Sequence, residues 1–184
     1  MHHGEPRSIS ALMSLLAEED RLVCRPIIDH LLALGYVPVK QKVRRYVLSF
    51  RHQQTNKVIA KIGVRGDGAK AVISLKFFAC SSAPDKFGQA LRREVESHDG
   101  QYCVPVRSAT EKNRCGRCDS CTGGGLGYYH LFPDGREVVR CGAYPIAVPD
   151  LAPGDVEEVK RLIDEQHHYL QSLCPGQRDS VLRP

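Results

Sequence analysis

Apolar residues recur at helical spacing in Ile9, Leu12, Met13, Leu15 and Leu16, and again in Ile27, Ile28, Leu31, Leu32 and Leu34. The first pattern predicts a short helix capped by Ser8, and the second a helix with Pro26 in its first turn. Gly35 then ends the second helix, because a residue without Cβ enters the left-handed region freely. Past it the period changes from helical to two. Tyr46, Leu48 and Phe50 alternate with Val47, Ser49 and Arg51, and the polar run Gln53-Gln54-Thr55-Asn56 turns the chain into Val58, Ala60, Ile62 and Val64. After Gly66-Asp67-Gly68 a third strand places Ile73, Leu75 and Phe77 on one face, which completes an antiparallel meander. Pro84 opens a helix in which Phe87, Leu91 and Val95 are spaced to cover that sheet, and Asp99-Gly100 closes it.

Further along, Tyr128 to Phe132 and Glu137 to Cys141 read as a hairpin turned by Pro133-Asp134-Gly135-Arg136. Asp155 and Glu158 have capping-box spacing, and the stripe Val156, Val159, Leu162, Ile163, Tyr169, Leu170 and Leu173 marks a last helix. The expected fold is α+β: an antiparallel β-meander covered by helices, with a cysteine-rich zinc hairpin and a C-terminal helix. Its expected parts are a disordered N-terminus (1–7), an α+β core (8–106), a Cys-rich metal-binding loop and hairpin (107–148), a C-terminal helix packed on the core (149–174) and a polar tail (175–184).

With 184 residues, 42% of them hydrophobic, the chain can bury a full core. No apolar run reaches the roughly 18 residues that a membrane span needs, and the first residues lack the apolar centre of a signal peptide. A cytoplasmic protein without membrane contact is therefore expected. In that reducing setting the clustered five of the eight cysteines read as metal ligands before disulfides, whereas the isolated Cys24, Cys80 and Cys174 read as small buried hydrophobes.

Cys115, Cys118 and Cys121 form C-x2-C-x2-C, and Cys141 follows at the end of the hairpin. Turns of this spacing bring sulfurs to the separation that one tetrahedral zinc requires, so the expected ligands are Cys115, Cys118, Cys121 and Cys141, with Cys103 as the alternative. Gly116 and Gly142 would let backbone N–H groups approach the thiolates, and a closed site would contribute folding free energy. A [4Fe-4S] cluster is the rival cofactor, although Thr122-Gly123-Gly124-Gly125 stands where a ferredoxin-type run continues to a fourth cysteine. The run Cys-Gly-Arg-Cys-Asp-Ser-Cys resembles the zinc-binding segment of RecQ-type DNA helicases. That resemblance implies zinc ligation by Cys115, Cys118 and Cys121, with Cys103 as the upstream ligand. It covers seven residues, and no Gly-x-x-x-x-Gly-Lys-Ser/Thr loop accompanies it, so unwinding driven by ATP is not implied.

The net charge of +5 is modest, but its distribution is not. Between Tyr36 and Phe78 ten basic residues face Asp67 alone, a local charge of +9. Strand alternation opposes Lys57, Lys61 and Arg65 to the apolar set, and Lys70 and Lys76 likewise; with Arg51 they define a candidate surface for nucleic acid or an acidic protein. Gln166-His167-His168 lies on the last helix, where adjacent side chains diverge by about 100 degrees, so the two histidines cannot share a ligand and read as partly exposed. The functional expectation is a zinc-stabilised binding module with no assigned catalytic residue. An iron–sulfur redox protein or enzyme, and a small-ligand sensor with its pocket between sheet and helices, are the alternatives.

Overall fold

The computed structural model describes residues 6–65, 70–101, 103–105 and 127–172. The chain is α+β with antiparallel sheets, and it divides into a unit of residues 1–75 and 147–184 and a unit of residues 76–146.

The first unit begins with α1 (Arg7–Leu15) and α2 (Glu18–Ala33). Ser8 lies inside α1 rather than capping it, since the helix starts directly after Pro6, whose carbonyl accepts the Ile9 N–H at 2.8 Å. Likewise α2 starts eight residues before Pro26, so the expected start is corrected. Glu18, Glu19 and Asp20 fill its first turn, where carboxylates meet the positive end of the helix dipole. The bond that Pro26 forgoes would have gone to the carbonyl of Leu22, on a turn whose side chain is 58% exposed and where water can serve the carbonyl. Gly35 has φ +81°, the left-handed ending expected from the sequence.

Four strands follow, β1 (Tyr36–Lys40), β2 (Val47–His52), β3 (Val58–Arg65) and β4 (Lys70–Leu75), and with β8 (Ile146–Val148) they form a sheet of order β1-β2-β3-β4-β8. Strands β1 and β8 are short and carry weak period-two signals, and neither stands out in the sequence. Leu48 pairs with Ile62 and Phe50 with Ala60, all four fully buried. Between Phe50 and Arg51 the register slips, so Arg51 pairs with Val58 and Ile59 is the extra, fully buried residue. This bulge breaks the even alternation expected from Val58 onward.

The helices covering this sheet are α1 against β1, β2 and β3, α2 against β1 and β4, and α4 (Val156–Ser172) against β3 and α2. A 3-10 turn (Pro153–Asp155) leads into α4, and the Asp155 carboxylate reaches back to the Ala152 N–H at 2.7 Å. Glu158 does not complete a capping box and pairs instead with Arg161.

In the second unit, α3 (Asp85–Glu96) lies against a three-stranded sheet of order β5-β7-β6, made from β5 (Val104–Pro105), β6 (Gly127–Leu131) and β7 (Glu137–Cys141). The expected hairpin is present, and Gly135 at φ +84° makes its turn. Val95 and Leu91 do not cover the meander as expected; they pack with Phe132, Val138 and Cys103. Phe87 meets the Phe77 ring edge-on at 5.3 Å. Three other helices supply the apolar cover of the five-stranded sheet.

Candidate nucleic-acid interface

Because strand side chains alternate, the residues opposite the buried set of the five-stranded sheet can be read from the register. Val39, Ser49, Lys61 and Ser74 form one continuous cross-strand row, in which Ser49 is itself buried at 2% exposure, and Arg65 lies opposite Lys70. Arg51, two residues from Ser49, shares their face. Four of the six expected basic residues, Arg51, Lys61, Arg65 and Lys70, are thus on one face.

Their surroundings differ. Lys70 Nζ lies 2.9 Å from Asp150 Oδ1, and that carboxylate holds the ammonium above its ordinary pKa. Arg51 donates to the Asn56 carbonyl and to its side-chain oxygen, both at 2.9 Å, which ties it to the β2–β3 turn. Lys61 is half-buried, and Lys57 precedes β3 on the far side of that turn. Lys76 is only 8% exposed and follows β4, so it offers little surface to a partner.

The sequence reading counted four cations in its charge total without assigning them to the site. Lys40, Lys42, Arg44 and Arg45 are all exposed in the connection from β1 to β2. Antiparallel pairing puts the end of β1, the start of β2, the end of β3 and the start of β4 at the same end of the sheet, so this connection and Arg65 share one end. Its base is fixed by hydrogen bonds from the Val64 N–H to the Tyr46 carbonyl at 3.1 Å and from the Gln41 N–H to the Val47 carbonyl at 2.9 Å. Gly63 permits this closeness, since a Cβ there would sit 2.6 Å from the Tyr46 carbonyl oxygen. Lys40 Nζ lies over the Tyr46 ring, 4.7 Å from its centroid, and Val43 projects at the tip, 58% exposed. The available signal was the composition Lys40-Gln41-Lys42-Val43-Arg44-Arg45, a basic loop between two strands.

The expected metal centre is corrected. Among the described residues no group of three or more His, Cys, Asp or Glu side chains could hold a metal ion. Zinc, the [4Fe-4S] alternative, the zinc hairpin and the RecQ-like zinc segment as a guide to function are withdrawn on that finding. Cys115, Cys118 and Cys121 lie outside the described residues. The two described candidates have other surroundings: Cys103 packs against the Val95, Phe132 and Val138 cluster, and burial pushes its thiol up, which opposes the thiolate that a metal needs. The Cys141 Sγ accepts the Ala143 N–H at 3.4 Å in the turn that ends β7. Cys24, read as a buried hydrophobe, is fully buried with its thiol pushed up to about 12, chiefly by burial.

For a small ligand the described surface of the first unit offers a recess of about 330 Å³ lined by Asp20, Val23, Ala71, Ile73, Val148 and Asp150. Its polar groups are engaged by the protein itself, Asp20 with the Ala71 N–H at 2.7 Å and Asp150 with Lys70. Among the described residues no helix is long and apolar enough to cross a membrane. Comparison of the chain with protein-family models, curated proteins and solved structures finds no match.

Proposed function

We propose that this chain is a nucleic-acid-binding module that grips the phosphate backbone with the cationic end of its five-stranded sheet. Lys40, Lys42, Arg44, Arg45 and Arg65 form the grip, with Arg51 and Lys61 on the adjoining face. The observation that carries this reading is the shared placement of the exposed basic connection and Arg65 at one end of a sheet with a rigid base. Side chains on such a base lose less freedom on binding than those of an unanchored basic segment. Contacts of this kind read charge spacing rather than base sequence, and affinity from them falls steeply with salt.

The test is fluorescence anisotropy of labelled single-stranded and duplex oligonucleotides across a salt series. Five phosphate contacts predict a slope of log K against log salt near −4.5 on duplex and about −3.5 on single strands. The double reversal Arg44→Glu and Arg45→Glu should reduce the slope by about 2 and weaken binding to all sequences alike. Equal affinity for polyglutamate would indicate an acidic protein partner, and binding untouched by the reversal would overturn the reading.

A further inference from the structure

At the other end of the same sheet buried Tyr36 and His52 meet His167, which is half-buried, while His168 beside it is exposed. Tyr36 opens β1 and is 1% exposed, and it pairs across the sheet with His52, the last residue of β2, which is 6% exposed. Over them lies α4, whose residues Asp164, His167 and Gln171 fall on one face at three- and four-residue steps. His167 turns inward, and the exposed His168 beside it does not. The rings of Tyr36 and His52 are 5.0 Å apart, those of Tyr36 and His167 5.6 Å, and those of His52 and His167 5.5 Å.

The Thr55 backbone N–H points to His52 Nδ1 at 3.3 Å, which makes that nitrogen the acceptor and leaves the proton of neutral His52 on Nε2. His52 Nε2 lies 3.0 Å from the Gln171 amide; with the amide turned so that its oxygen faces the ring, Gln171 accepts that proton. The Tyr36 hydroxyl lies 3.2 Å from His167 Nδ1, a hydrogen bond that either group can donate, and burial pushes the phenol pKa well above the ordinary value. A proton added to His167 would set a cation against the packed Tyr36 and His52 rings, partly removed from solvent.

We propose that His167, packed against Tyr36 and His52, forms a pH-operated latch, which in its neutral state holds the C-terminal turn of α4 against the β1–β2 corner and on protonation releases it. The groups that face the two histidines are Tyr36 from β1, His30 from α2, and Asp164, His168 and Gln171 from α4. Burial, then His52 and His168, hold the His167 pKa below the ordinary imidazole value. Asp164 pulls the other way, but its carboxylate is engaged by His30 Nε2 at 2.8 Å. The latch lies at the opposite end of the sheet from the cationic grip and is independent of the nucleic-acid reading.

The test is an NMR titration of the full chain from pH 7.5 to pH 5, following the histidine ring resonances together with helical shifts and corrected amide protection along α4. Protection over residues 167–172 should fall about tenfold or more with the same midpoint as the His167 ring, while residues 156–163 and strands β2 and β3 keep theirs. In the double variant His52→Gln and His167→Gln that loss should vanish, because neither side chain can take a proton. Titration of the His167 ring with unchanged protection, a loss spread evenly over the molecule, or an equal loss in the double variant would each overturn the proposal. Should the double variant not fold, the coincidence of midpoints in the unaltered chain decides.

Discussion

The two units stabilise their sheets by different means. In the first, three helices bury one face of a five-stranded sheet under Ile, Leu and Phe side chains that include Leu12, Ile28, Leu48, Phe50, Ile62 and Leu162, all without exposed surface. In the second, the described helix and three strands enclose Val95, Phe132 and Val138 beside a buried set of Phe77, Phe87, Ala90 and Tyr128, supplemented by polar clamps. There Arg140 reaches Glu94 at 2.8 Å, His130 is 8% exposed and lies 3.5 Å from Glu96, and the Tyr128 hydroxyl accepts the Phe77 N–H at 3.3 Å. The contrast teaches how core size sets the means of stabilisation. A sheet with enough apolar neighbours can leave its basic residues to the surface, whereas a small cluster relies on partly buried charges whose partners must all be present.

The largest effect that could break this contrast is truncation in the large core. Phe50→Ala removes a fully buried ring from the centre of the five-stranded sheet and should cost about 3–5 kcal/mol, read from urea unfolding. A cost near 1 kcal/mol would mean that this core tolerates a cavity as a loosely packed one does.

A smaller loss is expected from the second unit. Glu94→Gln leaves the Arg140 guanidinium, itself half-buried at 15% exposure, facing a neutral amide, and the expected cost is about 1–2 kcal/mol. Exposed pairs such as Arg136 with Asp134 are the contrast, since removing one should cost under about 1 kcal/mol. Thermal unfolding of Glu94→Gln beside Arg136→Ala ranks the two, and equal losses would remove the distinction between buried clamp and surface pair.

The smallest effect concerns pH and belongs to the first unit. Burial holds His167 below the ordinary imidazole pKa of 6.5, so the unfolded chain binds a proton more readily than the folded one. Stability is therefore full above pH 6.5 and declines as pH falls through that value, with His167→Gln flattening the decline. Tyr36 acts at the alkaline end: burial raises its pKa above the ordinary phenol value of 10.0, so stability declines as pH rises past 10. Urea midpoints measured from pH 5 to pH 11 check both signs, and a midpoint that rises on acidification would refute the first.

Several elements were legible because their signals are local. The two N-terminal helices, the β2 to β4 meander, the 127–141 hairpin and the last helix follow from periodicity and turn residues that act over a few positions. What escaped was decided at a distance. The bulge at Ile59 depends on pairing between two strands. The basic loop of 40–45 was visible as composition, but its convergence with Arg65 required the register.

By itself, then, the sequence determined the main helices, the β2 to β4 meander and the 127–141 hairpin, the concentration of positive charge between Tyr36 and Phe78, and the absence of a long apolar run. Charge, turn chemistry and periodicity are properties of neighbouring residues, so they survive without a fold. Only the tertiary structure decided that His52 is buried beside Tyr36 and which lysines remain on the surface. Burial and coordination are relations among residues far apart in the chain: His52 and Gln171 meet across 119 positions, whereas Cys103 and Cys141 belong to no described metal-holding group. A spacing motif states that ligands could converge, and only packing determines whether they do.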